Sequence, residues 1–167
     1  MNPALQFIST GVRKASLFIL LLFILQLPAY PQSNHTYYPI SKFVDGDTFW
    51  IRKADGKVEK IRLIGIDAPE SRNTGKKQED PYGKTSSAYL QKLLQGQTVR
   101  LEYDVARYDR YRRTLAYAYL KDGTFVNAHM VQQGFAKVLT VPPNVRHADL
   151  FVRLEREARS NRRGLWK

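Results

Sequence analysis

Ile61-Arg62-Leu63-Ile64-Gly65-Ile66-Asp67-Ala68-Pro69-Glu70 is the stretch around which the rest of the chain is organised. Its first half has the pattern of a buried strand, branched apolar residues interrupted by one arginine. Its second half sets an acid, a proline and a second acid at the strand's exit. Pro69 has no amide donor and pushes Ala68 toward extended backbone, so the strand stops there. A strand that carries Arg62 inside it and delivers Asp67 and Glu70 at its end is placing charges as well as apolar bulk. Arg62 and Asp67 lie an odd number of residues apart, and a straight strand would send them to opposite faces. They share a site only if the chain bends near Gly65 or leaves the sheet after Ile66. Glycine inside a strand commonly marks such a bend.

Working upstream, Asp55-Gly56 is a hairpin signal between Phe49-Trp50-Ile51 and the strand running from Val58 to Ile66. Before it, Ile40 to Val44 reads as a strand entering the turn Asp45-Gly46-Asp47-Thr48. The Asp45–Asp47 turn and the Asp67–Glu70 exit therefore belong to one meander and lie side by side. Working downstream, Ser71 to Pro81 is polar and charged and reads as a mobile loop. Tyr82 to Leu94 has helical spacing and stops before Gly96. Thr98 to Tyr103 alternates as a strand, Asp104 to Arg112 is a charged, tyrosine-rich turn, and Thr114 to Leu120 is another strand. Val126 to Gln133 is a short helix and Phe135 to Leu139 a short extended piece. A last helix runs from about His147 to Ser160, with Leu150, Leu154 and Ala158 on one stripe. Five strands with about three helices between and after them predict an α+β, mainly β fold: a five-stranded Greek-key barrel of the OB type.

The first 31 residues read as a segment apart. Arg13 and Lys14 precede an apolar run from Ser16 to Leu25, the pattern of a secretory signal peptide. The run is shorter than the roughly 20 apolar residues of a spanning helix. Ala29 is a candidate last residue before cleavage, but Leu27 is large where a small residue is preferred, so an uncleaved N-terminal anchor through residues 15–27 stands as the alternative. Either way the expected location is outside the cytoplasm, exported or membrane-anchored. Residues 32–39 read as a linker and 40–167 as the folded domain.

The chain has 167 residues, no cysteine and a formal net charge of +12. Disulfides and thiolate metal sites are thereby excluded. The positive excess favours a polyanionic partner, nucleic acid before membrane or polysaccharide. The arginines are also clustered: Arg107, Arg110, Arg112 and Arg113 in one segment, and Arg153, Arg156, Arg159, Arg162 and Arg163 near the end.

Four ordered blocks carry a resemblance: Val44-Asp45-Gly46-Asp47-Thr48; Ile61 to Glu70; Asp109-Arg110-Tyr111-Arg112-Arg113-Thr114-Leu115-Ala116-Tyr117; and Val126-Asn127 with Gln133-Gly134-Phe135-Ala136-Lys137-Val138. Together they resemble the staphylococcal nuclease (thermonuclease) family, over roughly Ile40 to Trp166. The resemblance implies an OB-fold, bound Ca²⁺ and hydrolysis of phosphodiester bonds in DNA and RNA, leaving 3′-phosphate ends. No obligate protein partner is evident in the sequence, and a monomer is expected. The resemblance makes Asp47 and Asp67 the carboxylate ligands of Ca²⁺, with the Ala68 carbonyl as a third oxygen and Asp45 at most water-bridged. That donor set suits Ca²⁺, which accepts carboxylates, carbonyls and waters in loose geometry. Glu70 is then the general base, Arg62 and Arg113 clamp phosphoryl oxygens, and Arg110 and Tyr111 contact nucleotide phosphate.

Each of these residues also has a plainer reading. Asp45-Gly46-Asp47 can be a turn with solvated acids, Arg62 can serve as a salt bridge to a neighbouring acid, and Arg113 can be a surface charge. Two positions depart from the family pattern. Arg112 stands where a glycine is usual, and Thr140 where a base-stacking tyrosine is, leaving Tyr103, Tyr108 or Tyr111 to supply base contacts. His35, His129 and His147 follow no metal-ligand spacing, and Trp166 is expected to pack against the domain. The competing function is a basic OB module that binds nucleic acid without cutting it; the presence of all five of Asp47, Asp67, Glu70, Arg62 and Arg113 favours the enzyme.

Overall fold

The structure is a computed structural model that describes residues 35–73 and 79–167. The leader, the start of the linker and residues 74–78 of the Ser71–Pro81 loop lie outside the described residues. In chain order the elements are β1 (Tyr38–Phe43), β2 (Thr48–Arg52), β3 (Val58–Leu63), β4 (Ile66–Asp67), α1 (Gly83–Leu94), β5 (Thr98–Glu102), β6 (Thr114–Tyr119), α2 (Val126–Gln132), β7 (Lys137–Val138) and α3 (Ala148–Ser160), then a 3₁₀ turn at Gly164–Trp166. Among the described residues no helix is long and apolar enough to cross a membrane.

Strands β1-β2-β3-β6-β5 close into a barrel, with β3 and β6 parallel and the other pairs antiparallel. This is the OB-type barrel expected of the sequence. It closes through Tyr38↔Val99, so β1 begins two residues before the predicted start at Ile40. Alternate residues point inward: Phe49 and Ile51 on β2, Ile61 and Leu63 on β3, Val99 on β5, and Ala116 and Ala118 on β6 are all at most 1% exposed. Burying each large side chain of that set stabilises the fold by roughly 1.5–3 kcal/mol. Helix α1 inserts Leu90 and Leu94 and lays Tyr89 on Phe135, ring centroids 3.7 Å apart. Trp166 packs as expected, under the Arg159 guanidinium at 3.9 Å.

The predicted single strand from Val58 to Ile66 is two strands. β3 ends at Leu63, Gly65 takes φ +79°, and β4 starts a separate two-stranded ladder with β7, Ile66↔Val138 and Asp67↔Lys137. The physical reason is a close approach. A Cβ on Gly65 would lie 2.4 Å from the ring of Phe151, which α3 presses against the bend. Asn127, fully buried on α2, ties the bend down from the other side: its amide donates to Ile64 O (2.9 Å) and its oxygen accepts from Ala118 N (3.0 Å). The chain therefore takes the first of the two routes that the parity of Arg62 and Asp67 left open, a bend at Gly65.

Candidate active site

The β2–β3 register pairs Thr48 with Arg62, which brings the Asp45–Asp47 turn beside the end of β3. Leu63 N donates to Asp47 O at 2.9 Å, and Ala68 N donates to Asp47 Oδ2 at 2.8 Å. The Thr48 hydroxyl donates to Asp47 Oδ1 at 2.9 Å. Arg62 lies in the middle. Nη1 donates to the carbonyls of Leu63 (2.8 Å) and Ile66 (2.7 Å), which the bend turns toward it. Nη2 bridges Asp47 Oδ2 (3.0 Å) and Asp67 Oδ1 (2.9 Å). Arg62 is 8% exposed and Asp47 5%.

Burial is the main cause that pushes the Asp47 carboxyl up, to about 6, and the nearby Asp45 adds to it. Arg62 and the Ala68 amide oppose the shift without cancelling it. At this pole two hard carboxylates share one guanidinium nitrogen, and one of the two is buried. Such a donor set fits a divalent cation held partly by carbonyls and waters, as Ca²⁺ is. Among the described residues no three His, Asp or Glu side chains form a metal cage by themselves, so carbonyl or water oxygens would have to complete the shell.

Around this pole opens a cleft of about 930 Å³. Asp45, Asp47, Arg62, Asp67, Glu70, Arg110, Tyr111 and Arg113 all line it, so every predicted site side chain meets in one place; Ala68 reaches the site through its amide. The main chain of Glu70 is fixed by a second close approach: a Cβ on Gly83, at the start of α1, would fall 1.9 Å from Glu70 O. That carbonyl also accepts from Asp80 N at 3.0 Å, closing the base of the loop. Arg72 donates to Val44 O at 3.1 Å across the same base.

Arg113 enters from the loop between β5 and β6. Asp109 organises that loop: Oδ1 accepts from Tyr111 N and Arg113 N, both at 2.9 Å, and Oδ2 accepts from Arg113 Nε at 2.7 Å. Burial works to raise the Asp109 carboxyl, but the hydrogen bonds and charge of Arg113 outweigh it and hold it below its ordinary value. Of the tyrosines considered for base contacts, Tyr108 and Tyr111 line the cleft and are 60% and 52% exposed. Tyr103 does not line it; Arg107 covers its ring. Thr140 is exposed and outside the lining, whereas its neighbours Leu139 and Val141 belong to it.

Sequence reasoning missed Asp109 as an organiser, although its place four residues before Arg113 is the signal that finds it. It also missed Lys60 and Arg72 in the cleft wall, and Asn144, whose side chain accepts from Ala106 N (2.7 Å) and donates to Ala106 O (2.8 Å). Asn127 was legible as part of a motif but not in its role. The histidines keep away from the cleft. His129 bonds Tyr89 OH at 2.8 Å, and His147 sits among the rings of Tyr117, Phe125 and Phe151.

An OB barrel whose acids and arginines converge on one cleft, in a chain of net charge +12, defines a class of protein built to handle a polyanion. Residues 60–167 match the family model described as staphylococcal nuclease homologue. The chain is 39% identical over 130 residues to the thermonuclease of Staphylococcus intermedius, covering 78% of this chain and 76% of that protein. It is 34% identical to the thermonuclease of Staphylococcus hyicus, over 80% and 78% of the two chains. An uncharacterized endonuclease of Escherichia coli O157:H7 is 36% identical, over 88% and 86%. The chain belongs to the staphylococcal nuclease family.

Proposed function

We propose that this nuclease hydrolyses phosphodiester bonds of DNA and RNA with little sequence specificity, depends on Ca²⁺ and leaves 3′-phosphate ends. One observation carries the reading: the two carboxylates, the base candidate and both arginines line a single cleft, with Asp47 buried beside Arg62. In this reading Asp47, Asp67 and the Ala68 carbonyl hold Ca²⁺, which when bound neutralises phosphoryl charge and makes a coordinated water more acidic. Glu70 takes the proton of the attacking water. The water oxygen bonds to phosphorus, the P–O5′ bond breaks, the departing 5′ oxygen takes a proton from solvent water, and the phosphate stays on the 3′ side. Arg113, held through Nε by Asp109, keeps its two terminal nitrogens for phosphoryl oxygens. Arg62 Nη2, now between two acids, is the donor that turns to the phosphate when those acids are otherwise engaged. Arg110 and Tyr111 bind neighbouring phosphate. Export belongs to the same proposal, supported by the basic and apolar pattern of residues 13–25. Cell fractionation tests it, and full-length chain in the cytosol would contradict it.

The test of the chemistry is cleavage of single-stranded DNA and of RNA by the full chain, with Ca²⁺ and with chelator, alongside Glu70→Gln. Wild type should cut only with Ca²⁺. Glu70→Gln should lose roughly 10²–10⁴-fold in kcat while keeping substrate affinity, because general-base catalysis is worth about that much. Intact substrate with Ca²⁺ present would favour the non-cutting OB module. A Glu70→Gln protein with near-normal kcat would move the base elsewhere.

A further inference from the structure

Two residues other than glycine have positive φ, Arg112 at 59° and Arg162 at 48°, among the described residues. Left-handed backbone is unfavourable for any residue with a Cβ, and bulky side chains there are outliers that call for a reason. Arg162 has an ordinary one. It directly follows the C-cap of α3, where the chain commonly turns left-handed and a cation is favoured by the helix dipole. Arg112 follows no helix. It closes the tight turn of the β5–β6 loop, its amide bonded to Asp109 O at 3.0 Å and Asp109 N to Arg113 O at 3.1 Å, so the turn calls for left-handed backbone there but not for an arginine side chain.

The neighbouring arginines are all engaged within the protein. Arg107 covers Tyr103, Arg110 stacks at 4.8 Å on Tyr111, and Arg113 is paired with Asp109. Arg112 is exposed, and its guanidinium has no hydrogen bond, ion pair or ring contact with the described residues. In sequence it lies between Tyr111 and Arg113, which line the cleft, and it is not itself one of the lining residues. We propose that Arg112 is a phosphate-binding residue at the lip of the cleft, contacting the nucleic-acid backbone beyond the nucleotide at which cleavage occurs. The strained backbone is retained for the charge it presents. This rests on the nuclease reading, because the ligand is the substrate's own backbone.

The experiment measures affinity of the full chain for a fluorescently labelled single-stranded DNA in chelator, across a salt series, with thermal melting of each protein. Arg112→Gly relieves the backbone and removes the charge; Arg112→Asn removes the charge with a residue that tolerates left-handed φ; Arg112→Lys keeps the charge. Arg112→Gly should melt higher than wild type yet bind roughly tenfold more weakly, the scale of one charge-assisted contact. Its plot of log affinity against log salt should be shallower by about 0.7, one single-strand phosphate. Arg112→Asn should share the loss of affinity and slope, and Arg112→Lys should largely restore both. Gly and Asn variants with wild-type affinity and slope, in a wild-type protein that binds and cuts, would overturn the Arg112 assignment alone. A wild-type chain that neither binds nor cuts nucleic acid would overturn the nuclease reading and this one with it.

Discussion

The cleft has two walls, and they hold their arginines in opposite ways. On the β3–β4 side, Arg62 is buried and makes four contacts, two to carbonyls and two to carboxylates. The barrel, Phe151 and Asn127 fix the bend that supplies those partners. On the β5–β6 side, Arg110, Arg112 and Arg113 stand at the exposed end of a loop whose turn is organised by the side chain of Asp109 and whose base is held at Ala106 by Asn144. A buried charge must be matched from several directions or it destabilises the fold, so the first wall is overdetermined. A solvated charge carries no such demand, so the second wall can spend its arginines on a ligand.

The contrast predicts how each wall fails. Arg62→Ala should have the largest effect, since it leaves Asp47 buried without its cationic partner. Stability should drop by roughly 3–5 kcal/mol in chemical denaturation, along with activity. A variant that loses activity but keeps wild-type stability would mean that the first wall is not held together by its charges. Gly65→Ala comes next. It combines left-handed φ, roughly 1–2 kcal/mol, with a collision against Phe151, roughly 1–3 kcal/mol more. Pairing it with Phe151→Ala should recover part of the loss, and strict additivity of the two would show that the contact does not set the bend.

Asp109→Ala should separate the walls most clearly. Stability should change little, but Arg113 loses its support, and kcat/KM should fall by up to about 10²-fold, the scale of a misplaced catalytic group. Unfolding comparable to that of Arg62→Ala would erase the distinction between the two walls.

The smallest effect concerns pH, away from both walls. Burial lowers the affinity of His147 for a proton, Arg146 lowers it further, and its Nε2 is buried with no hydrogen-bond partner among the described residues. The folded state therefore prefers the neutral ring, while the unfolded chain takes up a proton first as the pH falls through about 6.5. The contribution is present above that pH and lost below it. Melting temperature should decline from pH 7.5 to 5.5, and His147→Phe should make the decline shallower. An unchanged slope would assign the pH dependence to His129, which burial also shifts down.

Much of the candidate site was legible because its residues are close in sequence to turns that composition reveals. Asp45-Gly46-Asp47, Asp55-Gly56 and the exit at Pro69 fix a meander, and a meander places Asp47 beside the end of the strand that carries Arg62. The left-handed position at Arg112 was foreshadowed by the departure from glycine, and φ 59° agrees with it. What sequence alone determined was the basic excess, a set of candidate acids and arginines, and a requirement that the chain bend near Gly65 or leave the sheet after Ile66. Tertiary structure decided how that requirement is met and what holds the result in place. Phe151 arrives at Gly65 from 86 residues away, Asn127 reaches Ile64 O across 63, and Gly83 lets α1 crowd the carbonyl of Glu70. Turns and periodicity are written in neighbouring residues, whereas these contacts exist only after the barrel closes and the helices dock on it.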